Sequence, residues 1–285
     1  MKRFYCIALT LCFVWLVTAC GARPTEIVSD TAGTEDAVTT SEAEDTTEEQ
    51  IYVSQSILRI VDGAQTSQLV LAGKEPDEVY TLDVGDTPVY LDGKQADASA
   101  LEDGMMVTVE LYDANLPDSG TIPYVDCIFA DSLGTEGNPG GGYYDLCGFY
   151  LQVLEDLWNA DSGLNDGISY ISVDLSQAPG GLTDGEKAAI AQIFAETHGA
   201  EGLTLTRAQL EAQGYLTDGA WDDGLLFTIE PHAADQAEAY SLPVLRFDAS
   251  KWRSPLGAYF FTDCTAVWPE LGAWDGYTVG GEAIS

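Results

Sequence analysis

Ile171-Ser-Val-Asp-Leu175 alternates apolar and polar residues, and Thr183-Asp-Gly-Glu186 then opens a stretch with a different period. Behind it Ile190, Ile193 and Phe194 recur at helical spacing, and Gly199 stands where such a helix would stop. The first pattern predicts a half-buried strand. The second predicts a helix with a capping box, in which Thr183 and Glu186 satisfy each other's orphan backbone amides. Upstream, Leu146, Tyr150, Val153 and Leu157 predict a helix over 143–159. Downstream, Thr206-Arg-Ala-Gln209 opens a shorter helix that stops at Gly214. From Leu225 the period returns to two, with candidate strands Leu225–Glu230, Val244–Phe247, Tyr259–Ala266 and Tyr277–Ile284. Helices first and antiparallel strands last predict α+β for residues 143–285, with helices packed on a curved antiparallel sheet.

Residues 51–133 read as β throughout. Candidate strands are Ser56–Val61, Gln68–Leu71, Val79–Val84, Pro88–Leu91, Met106–Leu111 and Cys127–Ala130, with Gly-containing turns at Gly63, Gly73, Gly93 and Gly104. Short strands at this spacing predict a small all-β, barrel-like domain. Residues 134–142, Gly-Thr-Glu-Gly-Asn-Pro-Gly-Gly-Gly, have linker composition, and no Lys-Ser/Thr follows to make them a phosphate loop. The expected organisation is therefore two domains in one α+β chain, with 143–285 able to fold alone.

Tyr90-Leu-Asp-Gly-Lys-Gln-Ala-Asp-Ala-Ser-Ala-Leu-Glu-Asp-Gly-Met-Met-Val-Thr-Val resembles a segment of small barrel modules in secreted bacterial proteins. The resemblance covers about twenty residues and implies a barrel but no activity. The stretch Ala249-Ser-Lys-Trp-Arg-Ser-Pro-Leu-Gly-Ala-Tyr-Phe-Phe, with the closing Glu282-Ala-Ile-Ser, resembles two-domain surface lipoproteins of Firmicutes. It implies no established activity; a sheet cupped by helices, as in the nuclear-transport-factor cone, is the expected shape.

The N-terminus carries the sharpest motif. Met1, Lys2 and Arg3 precede an apolar run from Phe4 to Val17 that is shorter than a membrane span. The end, Leu16-Val17-Thr18-Ala19-Cys20 followed by Gly21, resembles a bacterial lipobox. The resemblance implies that residues 1–19 are a signal peptide and that Cys20 carries a diacylglycerol as the mature N-terminus. The membrane is then a partner through that lipid, and the protein sits on the extracellular face of the bacterial membrane. Residues 20–50 would be a tether: 21–50 hold nine acids, one base and seven Thr, a composition that cannot bury a core.

The 285 residues contain 47 acids and 11 bases, a net charge of −36. Loss of Lys2 and Arg3 with the signal takes it to −38. Nucleic acid is excluded as a partner, because phosphate recognition needs a basic face. Of six cysteines, Cys6 and Cys12 leave with the signal and Cys20 is the anchor, so Cys127, Cys147 and Cys264 allow at most one internal disulfide.

No hydrolase, zincin, dinucleotide or P-loop motif occurs. His198 falls at a helix end and His232 in a polar loop. Asp83 with Asp86, and Asp222 with Asp223, are carboxylate pairs of little specificity in so acidic a chain. Trp221-Asp222-Asp223 and Trp274-Asp275 place aromatics beside acids, as glycan sites do and as packed turns do. Asp161–Gly167 and Asp113–Asp118 miss the EF-hand pattern, so neither a metal nor a cofactor is expected. Lys251-Trp252-Arg253 is the densest basic spot. It heads the ligand-binding candidates with Trp221 and Asp222, the alternative being a buried indole with flanking cations held internally. The expectation is a surface-anchored, non-enzymatic binding or interaction protein for a protein or glycan ligand. The alternative is a carboxylate-dependent hydrolase of cell-wall or dietary glycans.

Overall fold

The computed structural model describes residues 53–112, 115–131, 145–232, 244–267, 274 and 276–285. The signal peptide, Cys20, the tether, the 134–142 linker, Asp113 and Asp275 lie outside the described residues. The described elements belong to one compact unit that runs from Glu49 to Ser285.

Eight strands come first: β1 (Val53–Asp62), β2 (Gln68–Ala72), β3 (Val79–Asp83), β4 (Val89–Leu91), β5 (Lys94–Ala96), β6 (Met106–Tyr112), β7 (Gly120–Thr121) and β8 (Cys127–Ala130). They form one sheet in the order β5-β4-β8-β6-β1-β2-β3-β7. The period-two pattern sends Leu58, Ile60, Val107, Val109 and Leu111 to a shared core with Leu69, Leu71 and Ile128, while Ile57 and Met106 face outward. Val61 and Ala72 point the other way and are buried in the second core, beneath helices.

The second half contains α1 (Leu146–Asn159), β9 (Tyr170–Asp174), α2 (Asp184–Thr197), β10 (Glu201–Leu203), α3 (Arg207–Ala212), β11 (Gly224–Pro231), β12 (Val244–Ser254), β13 (Gly257–Val267) and β14 (Gly281–Ile284). Its sheet order is β10-β9-β11-β12-β13-β14. The predicted capping box of Thr183 with Glu186 forms, and Thr206 with Gln209 forms a second at the start of α3; such caps contribute about 1 kcal/mol each.

The start of α2 also fastens the helix to the first sheet. Thr183 Oγ1 donates to Gly73 O (2.8 Å), and Gly185 N donates to Lys74 O (3.1 Å). A Cβ on Gly185 would come within 2.6 Å of Gly73 O, so only glycine fits this approach. Glu186, nearly fully buried, accepts from the Arg59 guanidinium, which also donates to Gly104 O at 2.7 Å. Helix α2 thereby packs on β9 and β10 of one sheet and on β1, β2 and β3 of the other.

The fold expectations need correction. The first sheet is open rather than barrel-like: it ends on β5 and β7, of three and two residues, and these edges do not meet. It is also mixed, since β3–β7 and β4–β8 run parallel. The α+β reading of residues 143–285 fails as well. The molecule is mostly β, with two mixed sheets in place of helices laid on an antiparallel one. The reason is β10, which pairs parallel with β9 after a crossover through α2, while β11 pairs parallel with the other side of β9. A three-residue strand, Glu201-Gly-Leu203, carries no readable alternation, so the sequence does not reveal that α2 links two parallel strands.

Candidate functional site

The residues singled out from sequence do meet in space. Lys251, Trp252 and Arg253 lie inside β12, which continues past Phe247 to Ser254. Lys251 is fully buried and its Nζ donates to Trp158 O (3.2 Å), Ala160 O, Asp161 O (3.1 Å) and Asn165 Oδ1 (3.1 Å). Those carbonyls belong to the end of α1 and the turn after it, where a cation complements the helix dipole. Burial pulls the Lys251 pKa down to about 8.

Arg253 donates to Leu164 O (2.9 Å), Asp166 O (2.7 Å) and the main-chain oxygen of Asp222. Both cations are thus held internally, mainly by backbone carbonyls. Trp252 is 8% exposed and packs with Trp221, Leu210 and Leu226, its ring capped by the Arg207 guanidinium at 4.3 Å. Trp221 is fully buried beside Tyr170 and Tyr215, and its Nε1 has no hydrogen-bond partner among the described residues. The Asp222 side chain is exposed. The five candidates therefore form a closed structural belt.

The remaining candidates are also occupied. His198 stacks on Trp158 at 3.8 Å and bonds Glu155 (2.8 Å). His232 Nδ1 meets Asp248 Oδ1 at 2.8 Å, and that hydrogen bond raises its pKa. Trp274 packs on Phe149, with ring centroids 4.6 Å apart. Asp83 accepts from Gly85 N within its own turn. Cys127, Cys147 and Cys264 are free, buried thiols. Burial pushes Cys127 and Cys264 up to about 12, aided at Cys127 by the hydrogen bond to Glu110, and it pushes Cys147 well above the usual thiol value. Among the described residues no three or more His, Cys, Asp or Glu side chains could hold a metal ion together.

The open chemistry lies elsewhere, in a groove of about 720 Å³ between the sheets. One wall is the turn at Pro76–Asp77 with Val79 and Thr81 of β3 and the β7 edge at Gly120. The other is α2, through Gln192 and Glu196, followed by the chain from Ala200 to Leu205, with Gln213 and Tyr215 closing one end. Short side chains line the space: Ala188 and Ala191 of α2, Ala200, and Gly202 of β10. Gly202 lacks a side chain because a Cβ would lie 2.9 Å from Ala191 O.

The groove is acidic. Asp77, Glu196 and Glu201 line it, and among the described residues no Lys, Arg, His, Cys or Trp does. At one wall the Tyr80 hydroxyl has its pKa raised by burial and then by Glu78, Asp77 and Asp118, which reports the same negative field. A smaller cleft of about 350 Å³ adjoins through Pro76 and Thr204 and contains the Lys187–Asp184 ion pair (2.9 Å). Sequence reasoning missed every groove residue. The only trace was the small-residue run Ala188-Ala189-Ile190-Ala191, which marks a helix face open to close approach.

No protein-family model, curated protein or solved structure matches the chain.

Proposed function

We propose that the protein is a non-enzymatic binding module, held by a lipid on Cys20 at the extracellular face of a bacterial membrane, with the inter-sheet groove as its ligand site. The observation that carries this reading is the groove itself. Its size falls in the range of ligand sites, and its polar groups converge on solvent, whereas those of the Lys251 belt are spent internally. Its composition supports binding over chemistry. It supplies rim carboxylates and amides, but no nucleophile–base pair and no indole on which a sugar could stack. The acidic lining suits a cationic or neutral polar ligand.

A fragment screen by NMR on the full chain tests the site, with hits expected to shift resonances of Glu196, Gly202 and Tyr215. Hits that leave the groove unperturbed would reject it. Turnover of a glycan panel that disappears in Glu201→Gln would replace the binding reading with a hydrolytic one. For the anchor, Cys20→Ala should move the protein from the detergent phase to the aqueous phase in detergent partitioning. Unchanged partitioning would rule the lipid out.

A further inference from the structure

Main-chain geometry along one wall narrows the ligand class, on the reading that the groove is the binding site. In the β9–β10 ladder Glu201 N donates to Ser169 O (2.9 Å), with Glu201, Gly202 and Leu203 level with Tyr170, Ile171 and Ser172. The Ser172 hydroxyl extends the ladder. It accepts from Leu205 N (2.9 Å) and donates to Leu205 O (2.7 Å). Residues 201, 203 and 205 therefore turn their backbone groups toward β9, and alternation turns those of Gly202 and Thr204 the opposite way. Gly202 and Thr204 both line the groove. β10 is also the last strand of its sheet among the described residues, so no described strand neighbours this row of N–H and C=O groups. Across the groove stands Gly120 of β7, the two-residue edge of the other sheet.

We infer that the groove takes an extended, lysine- and arginine-bearing segment of a partner protein, which adds as a strand on the β10 edge. Strand addition uses what the wall offers, a run of unpaired main-chain donors and acceptors. Charge complementarity identifies the occupant: Asp77, Glu196 and Glu201 flank the edge and no cation lines it. Side chains of an added strand alternate. Those on one face meet Gln192 and Glu196 of α2, and the face on the Gly202 side must stay close to the helix, where Gly202 itself has no room for a Cβ. The other face meets Glu201 and Tyr215.

Random linear ten-residue peptides displayed on phage, selected against the full chain, supply the probe. The strongest binder is then synthesised in three forms: unmodified, N-methylated at odd positions and N-methylated at even positions. Selected peptides should be rich in Lys and Arg, and binding should weaken at least tenfold with one of the two N-methylated sets but not with the other. Thr204→Pro should weaken binding at least tenfold, because it removes one outward N–H and no bond to β9. Its thermal unfolding should stay unchanged; should the variant be unstable, the N-methylated peptides give the same answer on the unaltered protein. Binding that is lost in Glu196→Lys but is indifferent to both N-methylated sets overturns strand addition and leaves the groove as a binding site. Binding indifferent to Glu196→Lys, Thr204→Pro and N-methylation overturns both readings. A selection that yields no binder overturns the basic-segment inference, and the fragment screen then judges the groove alone.

Discussion

The Lys251 belt and the inter-sheet groove are built from different side chains and put them to opposite ends. Around β12 an ammonium, a guanidinium and two indoles are gathered, yet the ammonium and the guanidinium both end on neighbours in the same molecule. Around β10 the side chains are short or merely polar, and two residues of main chain face open space. The difference teaches that a dense cluster of conspicuous residues is often what closes a fold. A binding surface can rest instead on a strand edge that no motif marks.

The comparison breaks most easily at the belt, where the largest effects are expected. Trp252→Ala should cost about 3–5 kcal/mol, the usual loss for a core aromatic. Lys251→Met should cost a similar amount, about 3–5 kcal/mol, because it strands the carbonyls of Trp158, Ala160 and Asp161 without a donor. Denaturant unfolding of the full chain measures both. A loss below about 1 kcal/mol for either would return Lys251, Trp252 and Arg253 to the list of ligand residues.

Next in size is the clamp between the sheets. Arg59→Met leaves Glu186 nearly buried and without its cation, and because Arg59 itself is a quarter exposed the expected cost is about 2–3 kcal/mol. The double variant Arg59→Met with Glu186→Gln should recover part of that loss, since no buried charge remains unpaired. No recovery would mean that the two groups act separately.

These two regions were unequally legible. Strands such as Gln68–Ala72 were readable because Gly-containing turns at Gly63 and Gly73 bracket them, and the Thr183–Glu186 capping box was readable because the cap chemistry is local. Sheet order was not readable. β4–β8 and β3–β7 join residues about forty apart through parallel pairs that leave no trace in a period-two pattern. The burial of Lys251 was hidden because a lysine between alternating residues resembles an exposed one until the end of α1 arrives above it. The groove was hidden for the same reason, since Asp77 and Glu196 become neighbours only through folding.

A smaller effect separates the buried thiols from any reactive role. Their folded pKa values lie above the unfolded value of about 9, so the stability they contribute is complete below pH 9 and is lost as pH rises toward 12. Lys251 works the other way: its folded pKa of about 8 lies below the unfolded value, so its contribution grows as pH climbs from 8 to about 10.5. A difference measurement isolates the thiol. Between pH 8 and pH 10 the unaltered chain should lose about 1 kcal/mol more than Cys264→Ala. Parallel pH profiles would show that Cys264 ionises as freely folded as unfolded.

The smallest expected effect is the most diagnostic of how the belt is built. Asp222 follows Trp221 in Trp221-Asp222-Asp223, the aromatic-beside-acid arrangement that made it a glycan-site candidate. Yet Arg253 Nη2 bonds the main-chain oxygen of Asp222, and the carboxylate is exposed. Main-chain oxygens survive any substitution, so Asp222→Asn and Asp222→Ala should both shift stability by less than about 0.5 kcal/mol, as surface changes do. Arg253→Ala, which strands the carbonyls of Leu164, Asp166 and Asp222 together, should cost clearly more than either. The ranking is the test. If Asp222→Ala costs as much as Arg253→Ala, the carboxylate rather than the backbone holds the guanidinium, and the belt has a polar face that a ligand could compete for. If the ranking stands, the acid beside the indole is a solvated turn residue, and Asp77, Glu196 and Glu201 around the groove remain the candidate ligand acids.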